Sequence, residues 1–308
     1  MTKVSFITCA FNREATIAQT IESVLKQTYK DWEMIVCDDG STDKTAQIVK
    51  DYEDRYPAQI KYIHQENQGP GAARNAAINA SCGEYVAILD SDDLATEDRL
   101  AKQVAFLDAN PEIILTGANA HVFVGDKKVV RDIVFAHSNE EIQKCMLDEN
   151  QFVHSSVMIR KKYLDEFGLY REELKSSQDY ELLLRLSQQG KVANMDEYLC
   201  WFRLNPGSIS LSSNTEQKKN YELISSTARE KNLKEVKAFD VPEPVKTSGY
   251  QKRAAKAAGH YHWAIRLLQL GHVNESREFA QIALALKPIN TEIWRFYVKH
   301  FIFGKKIS

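Results

Sequence analysis

Acidic residues follow two apolar runs of the chain, and their spacing could support metal or nucleotide chemistry. Asp38 and Asp39 end the run IVCDD, and Asp90, Asp92 and Asp93 follow the run YVAIL. If both runs are parallel strands of one sheet, their carboxyl ends lie at the same edge, where such sheets bind ligands. Several carboxylates at one edge repel each other. Because Mg²⁺ and Mn²⁺ bind one or two carboxylates together with phosphate oxygens, Asp-x-Asp predicts a metal–diphosphate site.

Both acidic groups also have a purely structural interpretation. Asp38 and Asp39 precede Gly-Ser-Thr, which is typical of a turn that leads into and caps a helix. Asp-x-Asp could likewise cap the helix predicted just after it, at Glu97–Leu107. The choice depends on whether other charged groups converge on the same edge.

A third polar segment, ENQGPGAARNAAI, lies between the two acidic groups. Gly69 and Gly71 permit a tight turn into a helix, and Arg74 falls in its first turn. Helix N-termini and guanidinium groups both attract phosphate. The segment matches neither the Walker A nor the dinucleotide-binding glycine motif. Taken alone, Arg74 could equally form a surface salt bridge.

The elements that must position these residues alternate along the first 120 residues. Apolar periodicity predicts strands at Val4–Cys9, Met34–Cys37, Ile60–His64 and Tyr85–Leu89. The segments between and after them predict helices at Ile17–Leu25, Thr45–Tyr56, Ala72–Ala80 and Arg99–Leu107. This alternation predicts an α/β fold, a mainly parallel sheet with helices on both faces.

The remainder of the chain changes character twice. The predicted elements up to residue 203 are a hairpin around Gly125-Asp126, a strand at Ser156–Ile159, a helix at Asp179–Gln188 and a strand at Tyr198–Phe202. After Leu211 the pattern is almost wholly helical, with a linker predicted at Phe239–Ser248. Small residues and a proline there, Ala264, Ala280, Ala283 and Pro288, partly match one tetratricopeptide repeat. A lone helical hairpin is favoured, since such repeats need about three copies for stability.

Composition limits the class of protein. The 308 residues are 44% hydrophobic and 27% charged, as in soluble globular proteins, and the net charge of −2 argues against a nucleic-acid partner. Five cysteines without C-x-x-C predict neither a disulfide framework nor a zinc site. The N-terminal run predicts no signal peptide, and apolar stretches are shorter than a membrane span. These features predict a cytoplasmic location.

Three segments of the chain together resemble the family 2 glycosyltransferases of GT-A fold. VSFITCAFNREATIAQTIESVLKQTYKDWEMIVCDDGSTDKT, NQGPGAARNAAI and GEYVAILDSDDL occur in the family's order over about residues 1–110. A weaker similarity continues through SSVMIRKKYLDEFGLYREELKSSQDYELLLRL and WFRLNPGSIS. The resemblance implies a catalytic domain at 1–212, with a nucleotide-sugar half at 1–110 and an acceptor-side half at 111–212. The helical extension at 213–308 lies outside it.

The resemblance also implies roles for single residues. Members of the family transfer a sugar from a nucleoside diphosphate and invert its anomeric centre. The donor-binding positions are Thr8, Ala10, Phe11, Arg13, Asp39, Arg74, Asp90, Ser91 and Arg203. Asp39 corresponds to the acid that binds the uracil edge, so a UDP-sugar is favoured, and Asp92 corresponds to the ligand of Mn²⁺ or Mg²⁺. Asp38 would be structural, capping the turn through Ser41 and Thr42.

Asp179 occupies the position of the family's general base. Its structural alternative is an N-cap of the helix that follows. The chain departs from the family pattern at Gln178, where an acid is common, and at Asn205, where His is common. His154 either lines the acceptor side or is a satisfied core histidine, and both interpretations stay open.

The resemblance implies a glycan or a lipid-linked molecule as acceptor, and the C-terminal tail bears on this. TEIWRFYVKHFIFGKKIS mixes aromatic residues with cations, which suits peripheral contact at the inner face of a membrane. The final helix could equally cover the predicted hairpin. Two other functions compete with glycosyl transfer: a sugar nucleotidyltransferase, disfavoured because TCAFNRE lacks glycine, and a non-catalytic scaffold that binds nucleotide sugar. No oligomeric state is predicted.

Overall fold

The computed structural model describes residues 2–205, 214–239, 241 and 249–302. The strands are β1 Val4–Ala10, β2 Trp32–Asp38, β3 Ile60–His64, β4 Tyr85–Ile88, β5 Leu94–Ala95, β6 Ile113–Val124, β7 Lys128–Ile133, β8 Met158–Arg160 and β9 Lys191–Arg203. The α-helices are α1 Ile17–Leu25, α2 Thr45–Arg55, α3 Pro70–Asn79, α4 Arg99–Ala109, α5 Asn139–Cys145, α6 Lys161–Phe167, α7 Gln178–Ser187, α8 Asn214–Glu230, α9 Gly249–Gln269, α10 Val273–Leu286 and α11 Thr291–Tyr297.

The nine strands form one mixed sheet. Its order is β3-β2-β1-β4-β8-β6-β9-β5, and β7 pairs with β6. β1 pairs in parallel with β2 and β4, and β2 pairs in parallel with β3. β8 runs antiparallel to β4 and β6, and β5 runs antiparallel to β9. The predicted α/β fold and the parallel pairing of its first four strands are confirmed, and the predicted hairpin is present as β6–β7.

Both faces of the parallel part are buried, which explains its continuous apolar runs. Successive residues of β1 belong to different core clusters, Phe6 to one and Ile7 to the other. Ile21 of α1 joins the cluster of Phe6, whereas Ala77 of α3 joins the cluster of Ile7. The helices therefore cover the two faces and leave the carboxyl ends of the strands as the place for a site.

Several predicted bounds in the second half are wrong. The strand predicted at Ser156–Ile159 begins at Met158, because a 3₁₀ turn occupies His154–Ser156. The hydroxyl of Ser156 fixes that turn by donating to the Val153 carbonyl at 2.8 Å and accepting from the Ala118 N–H at 2.9 Å. β9 begins at Lys191 instead of Tyr198, and its antiparallel partner β5 was not predicted.

The chain folds into two compact units. The first comprises 1–122, 131–203 and 220–241, and the second comprises 123–130, 204–219 and 242–308. Segment 220–241 groups with the first unit because Tyr221 stacks on Tyr180 of α7, with ring centroids 3.9 Å apart. The sequence places this segment in the helical extension, and the domain boundary at 212 stays a prediction. Of the predicted linker, Phe239 is buried in the first unit, and residues 240 and 242–248 lie outside the described residues.

In the second unit, α9 and α10 form the predicted helical hairpin. Ala264, Ala280 and Ala283 are fully buried, as a close helix pair requires. α11 packs on this hairpin through Ile293 and Phe296, whose ring meets Tyr261 edge-on at 5.4 Å. The interpretation that the final helix covers the hairpin is thus confirmed for its described part, while residues 303–308 lie outside it. Among the described helices, none combines the length and apolar character of a membrane span.

Candidate active site

The loop after β2 is held by the first of its two acids. Asp38 is fully buried, and its carboxylate accepts hydrogen bonds from the Ser41 N–H at 3.0 Å and from the Tyr62 hydroxyl at 2.9 Å. The predicted capping of the turn is confirmed for Ser41. It is wrong for Thr42, whose N–H donates to Oδ1 of Asn12 at 2.8 Å. Asn12 follows β1 with a φ of 52°, and its own N–H donates to the Ser41 hydroxyl at 2.9 Å. Side-chain amide and hydroxyl groups therefore join the two loops.

Asp39 is buried, and its carboxylate accepts three hydrogen bonds from the segment before α3. Oδ1 accepts from the Gln65 side chain at 2.7 Å and from the Gln68 N–H at 2.9 Å. Oδ2 accepts from the Gly69 N–H at 2.9 Å. An ionised carboxylate has about four acceptor sites, so one remains on Oδ2. Gly69 has a φ of 101°, a conformation that favours glycine.

The end of β1 places three predicted donor-binding residues in different surroundings. Thr8 is fully buried, and its hydroxyl donates to the Leu89 carbonyl at 2.8 Å. Ala10 is buried too, and its carbonyl accepts from the Asp39 N–H at 2.8 Å. Phe11 is 44% exposed at the same edge. An aromatic ring exposed at the carboxyl edge offers a face on which a nucleotide base can stack.

Arg74 and Asp90 form a close ion pair at this edge. Nη2 of Arg74 donates to Oδ1 of Asp90 at 2.7 Å, and Nδ1 of His154 lies 3.3 Å from Oδ2. Burial raises the pKa of Asp90, but Arg74 and His154 together hold this pKa well below its usual range. Nε of Arg74 is buried and has no hydrogen-bond partner among the described residues. Asp90 is therefore ionised, and Arg74 keeps one donor for a ligand.

The other two acids of the loop after β4 differ from Asp90. Asp93 is buried and accepts from the Ser155 hydroxyl and the Arg203 N–H, so it joins this loop to the 3₁₀ turn and β9. Asp92 has an ion pair with Nε of Arg13 at 3.9 Å. Burial raises the pKa of Asp92 against the attraction of Arg13. Neither acid caps α4, whose N-cap is Asp98 beyond β5, so the capping interpretation is wrong.

Asp92 fits a divalent cation that binds together with a diphosphate. Within the described residues, no three His, Cys, Asp or Glu side chains form a metal-binding group. Mg²⁺ sites beside nucleotides often use only one or two carboxylates and take their other ligands from phosphate and water. A half-buried carboxylate whose ion pair with Arg13 is as long as 3.9 Å has the lone pairs that such a site requires.

The remaining predicted donor residues surround Asp92. Nη1 of Arg13 donates to the carbonyls of Phe11 and Asn12, at 3.3 and 3.2 Å. Nε of Arg203 donates to the Asp92 carbonyl at 2.7 Å, so β9 supports the acidic loop directly. Ser91 is buried, and its carbonyl accepts from the Thr16 hydroxyl at 2.9 Å.

Two residues beyond the predicted donor, metal and base positions complete this edge. His154 is 10% exposed in its side chain and bridges Asp90 to Tyr170, whose hydroxyl lies 2.9 Å from Nε2. Tyr170 is buried, and the guanidinium of Arg74 lies 5.5 Å from its ring centroid. The sequence allows two interpretations of His154, and the structure places this residue beside Asp90. No sequence motif marks Tyr170, because its neighbours are distant in the chain.

Asp179 lies in the first turn of α7 and is half-buried. Within the described residues, its carboxylate has no hydrogen bond or ion pair. The N-cap of α7 is Ser177, in the left-handed conformation with φ 61°, so the N-cap interpretation of Asp179 is wrong. Burial raises the pKa of Tyr170, and the charges of Asp90 and Asp179 raise it further against Arg74. The charge of Asp179 therefore acts on the buried Tyr170 hydroxyl, as the charge of Asp90 does.

Comparison with known proteins agrees with this geometry. The profile of "Glycosyl transferase family 2" matches residues 5–168. A putative glycosyltransferase of Bacillus subtilis, EpsE, is 34% identical over 231 residues, which are 74% of this chain and 82% of EpsE. The Escherichia coli enzyme WfgD, named as a UDP-Glc:alpha-D-GlcNAc-diphosphoundecaprenol beta-1,3-glucosyltransferase, is 29% identical over 72% of this chain and 85% of its own.

Solved structures show the same fold. The S. aureus protein TarS in complex with UDP superposes with a TM-score of 0.58 at 19% identity, covering 98% of this chain and 92% of that chain. The mannosyltransferase PcManGT of Pyrobaculum calidifontis, solved with GDP-Man and Mn²⁺, superposes with a TM-score of 0.57 at 18% identity, covering 98% and 88%. The chain therefore belongs to glycosyl transferase family 2 and is a glycosyltransferase with a GT-A-type fold.

Proposed function

We propose that the protein is an inverting, metal-dependent transferase that moves a sugar from a nucleoside diphosphate, with UDP favoured, to a hydroxyl group of a glycan or lipid-linked acceptor. The observation that supports this most is the environment of Asp179. This carboxylate has no partner among the described residues, yet its charge acts on the buried Tyr170, which contacts Arg74 and His154. A carboxylate so placed can accept the proton of an attacking hydroxyl group.

The donor-side residues support the nucleotide part of the proposal. The exposed ring of Phe11 would stack on the base, and the remaining acceptor site on Oδ2 of Asp39 would take a hydrogen bond from the uracil N–H. The unpartnered Nε–H of Arg74 would donate to the donor's phosphate or sugar. Relatives fit this class of donor: TarS has been solved with UDP-GlcNAc, and the name of WfgD gives UDP-Glc.

In this proposal the chemistry divides between Asp92 and Asp179. Asp92 would hold Mn²⁺ or Mg²⁺, which when bound neutralises the charge that develops on the departing diphosphate. Asp179 would take the proton of the acceptor hydroxyl as its oxygen attacks the anomeric carbon opposite the diphosphate. The new carbon–oxygen bond forms while the bond to the diphosphate breaks, and the configuration inverts. Arg13 and Arg203 would orient the loop that bears Asp92.

The first test measures nucleoside diphosphate release from UDP-, GDP- and dTDP-sugars with Mn²⁺ in the absence of acceptor. We expect slow hydrolysis of one donor by the wild type, abolished by EDTA and by Asp92→Asn, and reduced by Asp179→Asn. Asp54→Asn is the matched control, since this exposed acid lies in the last turn of α2 and is not a predicted site residue. Turnover that is unaffected by Asp92→Asn and by EDTA would refute the metal-dependent proposal.

The same assay separates the two competing functions. A nucleotidyltransferase would release pyrophosphate from a nucleoside triphosphate and a sugar phosphate. A non-catalytic scaffold would bind one nucleotide sugar without turnover, even when candidate lipid-linked acceptors are supplied. Product analysis by NMR would then report the anomeric configuration, and retention would overturn the inverting assignment.

We further propose that the second unit contacts a membrane surface. Trp294 and Ile302 are 45% and 61% exposed, close in sequence to Arg295 and Lys299, a combination that suits an anionic lipid interface. The lipid-linked acceptor named for WfgD fits this location. The double variant Trp294→Ser, Ile302→Ser leaves the buried Ile293 and Phe296 in place. Unchanged binding of this variant to phosphatidylglycerol vesicles would refute the proposal.

A further inference from the structure

Gln65 is the side chain that completes the hydrogen-bonded surroundings of Asp39. Its Nε2 donates to Oδ1 of Asp39 at 2.7 Å, and its Oε1 lies 3.7 Å from the thiol sulfur of Cys37. A carboxylate only accepts, so the amide turns its nitrogen toward Asp39 and its oxygen toward the thiol, which donates. Burial raises the pKa of this thiol to about 12, so it keeps its proton. Contacts at both ends therefore fix the amide in one orientation.

The main chain around Gln65 is fixed independently of this side chain. The Gln65 N–H donates to the Asp38 carbonyl at 3.0 Å, just beyond the end of β3. The segment that follows is tied to Asp39 by two main-chain donors, the N–H groups of Gln68 and Gly69, both at 2.9 Å. A substitution of the Gln65 side chain therefore leaves three main-chain hydrogen bonds of this region in place.

The three donors to Asp39 differ in what they leave free on each oxygen. Oδ1 accepts from Gln65 and Gln68, which occupy both of its lone pairs, whereas Oδ2 accepts only from Gly69. Without the Gln65 amide, Oδ1 would regain a lone pair. The carboxylate would then offer two acceptor sites in different directions, in place of one. The Gln65 side chain thus determines which oxygen of Asp39 is left to accept from a ligand.

We propose that Gln65 is a positioning residue for base recognition, which directs the one free lone pair of Asp39 at the ring N–H of uracil. The inference rests on the proposed function, in which Asp39 binds that N–H. Uracil carries a proton on the ring nitrogen between its two carbonyl groups, whereas cytosine has a lone pair on the same nitrogen. A carboxylate fixed in this direction attracts the first and repels the second, so it selects uracil over cytosine.

The test compares the binding of UDP and CDP, which differ only at this edge of the base, by titration calorimetry with Mn²⁺. We expect the wild type to bind UDP at least about 100-fold more tightly than CDP. Gln65→Met has about the same side-chain length and no donor. It should weaken UDP binding about 10-fold, the effect of one hydrogen bond to a charged group, and change CDP binding by less than about 3-fold.

Gln47→Met is the matched control. On the exposed surface of α2, the amide of Gln47 also donates to a carboxylate at 2.7 Å, that of Asp51. This variant makes the same chemical change outside the candidate site, and the Kd values of UDP and CDP should stay within about 2-fold of wild type. Kinetics of the donor that the wild type hydrolyses give a second readout. There, Gln65→Met should raise KM about 10-fold and leave kcat within about 3-fold.

A purely structural role of Gln65 would weaken UDP and CDP binding by the same factor and leave the preference for UDP unchanged. That result would overturn the inference while the proposed function stands. An unchanged Kd of UDP in Gln65→Met would overturn it in the same way. A wild type that binds UDP no more tightly than CDP would instead refute the choice of UDP in the proposed function, and the inference with it.

Discussion

The loop after β4 and the first turns of α7 both place a firmly paired carboxylate two residues from one with a long ion pair or with no partner among the described residues. In the β4 loop, Asp90 accepts from Arg74 at 2.7 Å, whereas Asp92 faces Arg13 at 3.9 Å. The paired acid fixes the loop, and the weakly paired acid keeps lone pairs for a ligand.

Helix α7 repeats this arrangement with different partners. Glu181 is fully buried and accepts from Nε of Arg171 at 2.9 Å and from Nε and Nη2 of Arg185 at 2.8 and 3.0 Å. Asp179 has no partner in the described part of the chain. Burying an unpaired carboxylate is unfavourable, so the fold tolerates it where a ligand completes the pairing. The comparison thus assigns Asp90 and Glu181 to the stability of the fold, and Asp92 and Asp179 to the proposed chemistry.

The largest expected effect comes from Asp179, the acid of α7 that has no partner in the described part of the chain. Asp179→Asn should lower the turnover of the preferred donor and acceptor by about 1,000-fold or more, since an amide cannot take the acceptor proton. The midpoint of thermal unfolding should stay within about 2 °C of wild type, because no protein contact is lost. Steady-state kinetics and a thermal melt measure both. Activity within 10-fold of wild type would remove Asp179 from the chemistry.

The firmly paired acid of the same helix should show the opposite pattern. Glu181→Gln should lower the free energy of unfolding by about 3 kcal/mol, because the buried guanidinium of Arg185 and the partly buried one of Arg171 lose their counter-charge. Urea denaturation at pH 7 measures this. Asp165→Asn, an exposed acid paired with Lys161 on α6, is the control and should stay within about 0.5 kcal/mol. If Glu181→Gln were as stable as Asp165→Asn, Glu181 would not be the acid that stabilises this helix.

The stability that Asp90, the paired acid of the β4 loop, contributes to the fold should depend on pH. Because Arg74 and His154 hold the pKa of folded Asp90 below its ordinary value of 3.8, its ionised form stabilises the fold at all pH values above about 4. We expect Asp90→Asn to be less stable than wild type by about 2 kcal/mol at pH 7. The difference in the free energy of unfolding between wild type and Asp90→Asn should narrow as the pH falls below about 4. There the unfolded protein binds a proton at Asp90, whereas the folded protein does not. Chemical denaturation at pH 7, 5 and 3 tests this, and a gap that widens in acid would contradict it.

The smallest expected effect concerns Phe11, an exposed aromatic side chain at the same edge, and is measured as the KM for the donor. Phe11→Ala should raise the KM for the donor about 10-fold, the loss of one base–ring stack, and change kcat by less than about 3-fold. Val134→Ala is the control, since Val134 is 54% exposed in the same unit. A donor KM equal to that of the control would place the base elsewhere.

Apolar periodicity predicted the parallel part of the fold because β1 to β4 are buried on both faces or bounded by clear turns. β5 was not predicted, since a strand of two residues has no period and exists only through its pairing with β9. Of the candidate site, local motifs predicted Asp90 and Asp92. Tyr170 and the role of His154 could not be predicted, because the bond between His154 and Asp90 spans 64 positions and that between Tyr170 and Asn75 spans 95.

The contact between Asn75 and Tyr170 holds the loop independently of the side chain at position 170. At position 170, Asn75 bonds only to the main chain, so it holds the loop in the same way whatever side chain stands there. Asn75 therefore determines the main-chain path of the loop, and the residue at position 170 determines which side chain the loop carries. A substitution of the Tyr170 side chain would therefore leave both main-chain hydrogen bonds of this loop in place.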